Sequence, residues 1–167
     1  MNRLIVMRHS KAEQFAASDH DRVLAARGER DALAAGRWAL AEGYLPDHVV
    51  VSSAARTRGT WDGFVAGSGT DVGATFDRAL YAAGTDGALE IIRAAPPASA
   101  TVMLVGHNPT MAYLVHLLDN GDADPEVFAQ VSTGFPTSAI CVLEVPGAWA
   151  DLDIAGATIK AFHVARG

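Results

Sequence analysis

The chain is 167 residues long and half hydrophobic, the size of one ordinary domain spanning 1–167, with enough apolar residues to bury a substantial core. Its net charge of −6 and the absence of any Lys/Arg run argue against a nucleic-acid partner, so an anion site here must be assembled from a few placed arginines. A single cysteine, Cys141, excludes a disulfide framework and a zinc set of paired cysteines, and no apolar run is long enough for a membrane span or a signal-peptide core; a cytoplasmic protein with no membrane partner is the expectation.

In chain order, Leu4-Ile5-Val6-Met7 reads as a strand, and the Ala/Leu-rich run from Gly28 to Glu42, with Gly43 and Pro46 just beyond, as a helix with its stop. Val49-Val50-Val51 is the next strand and Arg56 to Val65 a helix. Gly63 to Gly73, with four glycines and little hydrophobic spacing, reads as a loop. Thr75-Phe76 is a marginal strand, and Thr85-Asp86 caps a helix over Ala88 to Ala94 that Pro96-Pro97 ends. Thr101 to Val105 is a clear strand; Pro109 opens a helix through Met111, Leu114, Val115 and Leu118, which Asn120-Gly121-Asp122 breaks. Ala139 to Val145 and Thr158 to Val164 read as strands joined across Pro146-Gly147, as an antiparallel pair. This alternation selects an α/β fold, a three-layer α/β/α sandwich on a mostly parallel sheet with an antiparallel edge strand.

Two strands run directly into histidine-bearing turns, Met7-Arg8-His9-Ser10 and Gly106-His107-Asn108-Pro109, and a third into Ser52-Ser53-Ala54-Ala55-Arg56. Strand ends in an open α/β sheet hold side chains rigidly at the mouth of a crevice. A transferable phosphoryl group spreads its charge over several oxygens and requires planar, bidentate donors, which arginine supplies better than lysine. Arg8 and Arg56 meet that need, Arg56 in a helical first turn where free N–H groups also favour an anion. A neutral imidazole is a nucleophile near neutral pH without a strong base to activate it. His9 is therefore the candidate acceptor of the phosphoryl group, with one ring nitrogen aimed at phosphorus and the other held through its proton, and His107 a candidate donor to the equatorial oxygens. His20, His48, His116 and His163 show no ligand spacing, so no metal site is expected.

Arg8-His9-Ser10 after the first strand, Ser52, Arg56 and Thr60 after the second, and Gly106-His107-Asn108-Pro109 after a later one resemble the histidine phosphatase superfamily, which has the phosphoglycerate-mutase-like fold. Within it the short chain looks most like the SixA-type phosphohistidine phosphatases, sharing the segment Asp21 to Gly28 and Leu80-Tyr81. The resemblance covers Leu4 to about Val145. It implies His9 as the phosphorylated nucleophile, Arg8, Arg56 and His107 as the catalytic phosphate pocket, and Arg22 at the mouth. Ser10 and Asn108, in the two histidine turns, complete the expected substrate contacts, and no metal or organic cofactor is implied. Ser53 stands where relatives usually have proline and Gly59 where many have glutamine.

Superfamily members that cleave esters use a carboxylic acid from the segment after the middle strand to protonate the leaving alkoxide. Here that segment offers Asp77, Asp86 and Glu90, none of which stands out, and SixA-type relatives likewise lack the obvious acid. An imidazole leaving from a phosphoramidate departs as a neutral ring, so loss of the acid costs an esterase about a hundredfold and a phosphohistidine phosphatase much less. A phosphatase acting through a phosphohistidine intermediate on a phosphohistidine-bearing signalling protein is the expected function. The alternatives are a phosphomonoesterase of small phosphorylated metabolites and a non-catalytic phosphate-binding module; a mutase is disfavoured by the lack of an insertion to grip a sugar acid.

Overall fold

A computed structural model describes residues 1–167. Six strands, β1 (Asn2–Arg8), β2 (His48–Ser52), β3 (Ala74–Asp77), β4 (Thr101–Gly106), β5 (Ala139–Val145) and β6 (Thr158–Val164), form one sheet in the order β3-β2-β4-β1-β5-β6. The pairs β1/β4, β2/β4 and β2/β3 are parallel, whereas β5 runs antiparallel to both β1 and β6. The helices are α1 (Ala26–Glu42), α2 (Ala55–Ser68), α3 (Arg78–Ala82), α4 (Thr85–Arg93), α5 (Thr110–Leu118) and α6 (Pro125–Thr133).

The two-residue period of a strand divides the core into two layers. In β1, Ile5 and Met7 join Val49, Val51, Met103 and Val105 under Ala35 and Ala39 of α1 and Trp61 and Phe64 of α2. Leu4 and Val6 face the other way, with Val102 and Leu104, against Leu89 and Ile92 of α4 and Met111, Leu114 and Leu118 of α5. Central strands apolar on both faces are what a sheet covered on both sides requires, and the predicted sandwich is the observed one. Cys141 is fully buried in β5, and burial pushes its thiol well above the usual range, as befits a packing residue. No helix is long and apolar enough to cross a membrane.

One expected loop is helical instead, and one helix lies where no element was expected. The glycine-rich run read as a loop from Gly63 continues α2 to Ser68, where Gly69 at φ +71° ends it. Those glycines are contact points between α1 and α2: a Cβ on Gly67 would lie 2.1 Å from Leu33 O, one on Gly63 2.5 Å from the Ala32 Cβ, and one on Gly36 of α1 2.1 Å from Phe64 O. Close helix contact outweighs weak helix propensity here. The unexpected helix is α6, capped by Asp124, whose carboxylate accepts from Glu126 N and Val127 N, with Pro125 in its first turn. Gly36→Ala is expected to destabilise the fold by about 1–3 kcal/mol through overpacking, against the roughly 1 kcal/mol gain alanine brings to an open helix. A urea-unfolding midpoint that rose instead would show that the two helices do not pack this closely.

Candidate active site

Sheet register assembles the site. Arg8 of β1 pairs with Gly106 of β4, so the next residues, His9 and His107, leave the sheet side by side, and the His9 amide still donates to Gly106 O at 3.0 Å. Their ring centroids lie 5.4 Å apart. On the other flank of β4, β2 ends at Ser52 and leads into α2, whose first turn carries Arg56. Parallel strands with their C-terminal ends together thus bring three sequence-distant segments to one edge.

Hydrogen bonds settle both imidazole tautomers. His9 Nδ1 lies 2.7 Å from Ser10 O; a carbonyl can only accept, so Nδ1 carries the proton and Nε2 keeps an open lone pair. His107 Nε2 lies 2.7 Å from Ser52 Oγ. Ser52 is fully buried and its hydroxyl proton has no other acceptor, so it donates to Nε2 and leaves the His107 proton on Nδ1. That Nδ1 is buried without a partner, as are Arg8 Nε and Arg56 Nε. Buried donors normally find acceptors, and these three stand at adjoining strand ends without one.

Ser10 and Asn108, expected as substrate contacts, are engaged elsewhere. Ser10 is wholly buried, its amide donating to Thr60 Oγ1 at 2.9 Å and its hydroxyl accepting from Ser138 Oγ at 2.6 Å, while Thr60 Oγ1 donates to Arg56 O at 2.7 Å. This chain ties the His9 turn to the first turn of α2. Asn108 Nδ2 donates to Phe135 O at 2.7 Å and its Oδ1 accepts from Ala112 N at 3.3 Å; Arg8 Nη1 reaches the same Phe135 carbonyl at 3.2 Å. Asn108 therefore ties the start of α5 to the carbonyl that Arg8 also holds.

Burial pushes the His9 imidazole down to about 4, with the Arg56 and Arg8 charges adding to it against the Ser10 hydrogen bond, and burial with Arg56 pushes His107 down to about 3. Both rings stay neutral in the fold where the unfolded chain already binds protons, near pH 6.5. Between about pH 6.5 and 4 the unfolded state holds more protons, so stability rises with pH across that window and is lost as pH falls through it. The loss is on the order of a few kcal/mol by pH 4. Thermal midpoints measured from pH 7 to 4.5 are expected to fall steeply, and less steeply in His107→Ala; equal slopes for the two proteins would contradict a buried neutral His107.

One carboxylate stands at the mouth that the sequence did not single out. Asp19, in a short 3-10 turn, accepts from Arg56 Nη2 at 3.1 Å and Tyr81 OH at 2.7 Å through Oδ2 and from Arg22 Nε at 3.1 Å through Oδ1, and its carbonyl accepts from Arg56 Nη1 at 2.9 Å. The Tyr81 hydroxyl first, then Arg22 and Arg56, hold its carboxyl down at about 2. The Tyr81 and His107 rings meet edge-on with centroids 5.6 Å apart, and His20, which showed no ligand spacing in the sequence, packs edge-on against Tyr81 with centroids 4.8 Å apart. His20 Nε2 also lies 2.8 Å from Ser53 Oγ, a pairing the usual proline at that position could not make. Position just before the first helix, beside Arg22, was the available signal for Asp19; its partners 37 and 62 residues away were not legible.

The carboxylates expected after the middle strand lie outside this cluster. Asp77 caps α3 by accepting from Ala79 N at 2.7 Å, Asp86 is exposed in the first turn of α4, and Glu90 pairs with Arg93. At Gly59 a Cβ would come within 3.1 Å of Leu24, so the departure from glutamine makes room for that leucine. A surface hollow of about 500 Å³ along Val23, Leu24, Arg58 and Gly59 holds neither histidine. No three His, Cys, Asp or Glu side chains converge as a metal set.

No family model matches the chain. Protein Rv1276c of Mycobacterium tuberculosis, itself uncharacterised, is 39% identical over 162 residues, covering 96% of this chain and 100% of the relative. A solved structure assigned as phosphohistidine phosphatase SixA from Nakamurella multipartitia matches with a TM-score of 0.84 at 36% identity, over 98% of this chain and 96% of that one. A second, similarly assigned, from Agrobacterium tumefaciens matches with a TM-score of 0.76 at 32% identity, over 86% and 92%. Sheet order and likeness together define an enzyme of the histidine phosphatase superfamily with the phosphoglycerate-mutase-like fold. Within that superfamily, the chain belongs to the SixA-type phosphohistidine phosphatases.

Proposed function

We propose that this enzyme removes the phosphoryl group from phosphohistidine on a signalling protein, passing it through His9. The observation that carries the reading is the set of three buried, unpartnered donors, Arg8 Nε, Arg56 Nε and His107 Nδ1, around an imidazole whose tautomer leaves Nε2 free. His9 Nε2 attacks phosphorus in line as the P–N bond of the substrate breaks and its electron pair leaves with the substrate imidazole. Arg8, Arg56 and His107 stabilise the charge on the equatorial oxygens, and Arg22 stands at the rim. Water then hydrolyses the phosphohistidine on His9, releasing phosphate and restoring the neutral ring.

Leaving-group chemistry favours a P–N substrate. None of Asp77, Asp86 and Glu90 reaches the histidine pair, and the half-exposed Asp19 is held as an anion, so no carboxylic acid is ready to protonate an alkoxide. A protein carrier suits the mouth: Phe15 is 87% exposed in a hollow it shares with Asp19 and Arg22, and Val23 is exposed next in the chain to Arg22. The test compares kcat/KM for a phosphohistidine-bearing phosphotransfer protein with that for a panel of sugar and nucleotide monophosphates. The phosphoprotein is expected to be preferred by at least about a hundredfold, the usual worth of a general acid. Efficient turnover of an unactivated monoester would move the assignment to small metabolites.

A further inference from the structure

We propose that the Asp19 carboxylate selects imidazole as the leaving group, by accepting the N–H of the substrate ring nitrogen that does not carry phosphorus. This rests on the phosphohistidine reading above and adds a specificity residue to it. Three observations support it. First, the carboxylate lies at the open side of the site: its side chain is 54% exposed, whereas His9 on the floor is 8% exposed. In-line attack from the floor expels the leaving group towards the mouth, where Asp19 stands.

Second, Asp19 is locked in place by groups that belong to the phosphate pocket. Arg56 grips both its carboxylate and its carbonyl, Arg22 takes the other carboxylate oxygen, and Tyr81, whose ring edges onto His107, donates to the first. A residue so tied to Arg56 keeps a fixed distance from whatever anion Arg56 binds. Third, the same partners keep it ionised. An ionised carboxylate cannot hand a proton to an alkoxide, and it opposes the negative charge that develops there. It can accept a hydrogen bond from an imidazolium.

The step balances without an added acid. The substrate ring enters protonated on its far nitrogen, as a phosphoimidazolium hydrogen-bonded to Asp19. His9 Nε2 forms the new P–N bond, the old P–N bond breaks, and its electron pair stays on the departing nitrogen. The ring leaves as neutral imidazole, keeping its original proton. Asp19 raises the fraction of substrate in the reactive protonated form, an advantage that an ester, with no proton to offer, does not share.

The experiment measures kcat/KM of wild type, Asp19→Ala and Asp19→Asn on free phosphohistidine and on p-nitrophenyl phosphate, whose leaving group needs neither acid nor N–H acceptor, from pH 6 to 9. The ratio of the two activities is expected to fall at least about tenfold in Asp19→Ala, the value of a charge-assisted hydrogen bond. In Asp19→Asn, which keeps an acceptor oxygen without the charge, the alkaline decline of phosphohistidine turnover is expected to move to lower pH by about one unit. A ratio within twofold of wild type in Asp19→Ala, or an unmoved alkaline decline in Asp19→Asn, overturns the role of Asp19 and leaves the phosphohistidine reading standing. Wild type that hydrolyses p-nitrophenyl phosphate but not phosphohistidine overturns both.

Discussion

Replacing His9 with alanine is expected to abolish phosphoenzyme and to lower turnover by about 10⁴-fold or more, the scale of losing a covalent nucleophile. The expectation follows from its hydrogen bonding. Nδ1 is committed to Ser10 O at 2.7 Å, so only Nε2 is free, and burial keeps the ring neutral well below physiological pH. His107→Ala removes a donor rather than the attacking atom, so phosphoenzyme still forms, about 10²–10³-fold more slowly. Incubation with labelled phosphohistidine, a quench in base and peptide mapping distinguish the two: acid-labile label is expected on His9 in wild type and His107→Ala, and none in His9→Ala. Label on another residue, or full hydrolysis by His9→Ala, sinks the covalent route.

Much of this site was legible because strand ends are written locally. An apolar run followed by a polar turn marks both histidines and Arg56; the β-α alternation implies that their strands run parallel, and the order that makes β2, β4 and β1 neighbours comes from the fold itself. What was not legible depends on side-chain geometry across long loops. Whether Ser10 faces substrate or Ser138, and whether Asn108 faces substrate or Phe135 O, turns on how the segment leading into β5 is placed, more than a hundred residues away for Ser10. Asp19 was hidden for a related reason: acidic residues before a helix usually mean a surface pair, and only Tyr81 and Arg56 folded over it reveal otherwise. Gly63 and Gly67 misled in the opposite sense, since glycine marks either a loop or a close helix contact, and the partner in α1 decides which.

Arg56→Ala is expected to lower kcat/KM by about 10³–10⁵-fold, the range in which a single well-placed arginine acts on phosphoryl transfer. Arg56 contributes at several points. Its Nε is one of the three buried donors without a partner, its two terminal nitrogens hold Asp19, and its charge helps keep both imidazoles neutral. Lysine in its place restores a charge but not the planar fork, so Arg56→Lys is expected to recover no more than about tenfold. The lost positive charge has a second signature. Without Arg56 the His9 ring protonates more readily, so the acid limb of phosphoenzyme formation moves to higher pH in Arg56→Ala and stays near wild type in Arg56→Lys. Rapid-quench measurement of label against pH for the three proteins reads both effects at once. Activity of Arg56→Ala within tenfold of wild type, or an acid limb that does not move, would mean that the anion is held by Arg8 and His107 alone and that the end of β2 contributes only packing.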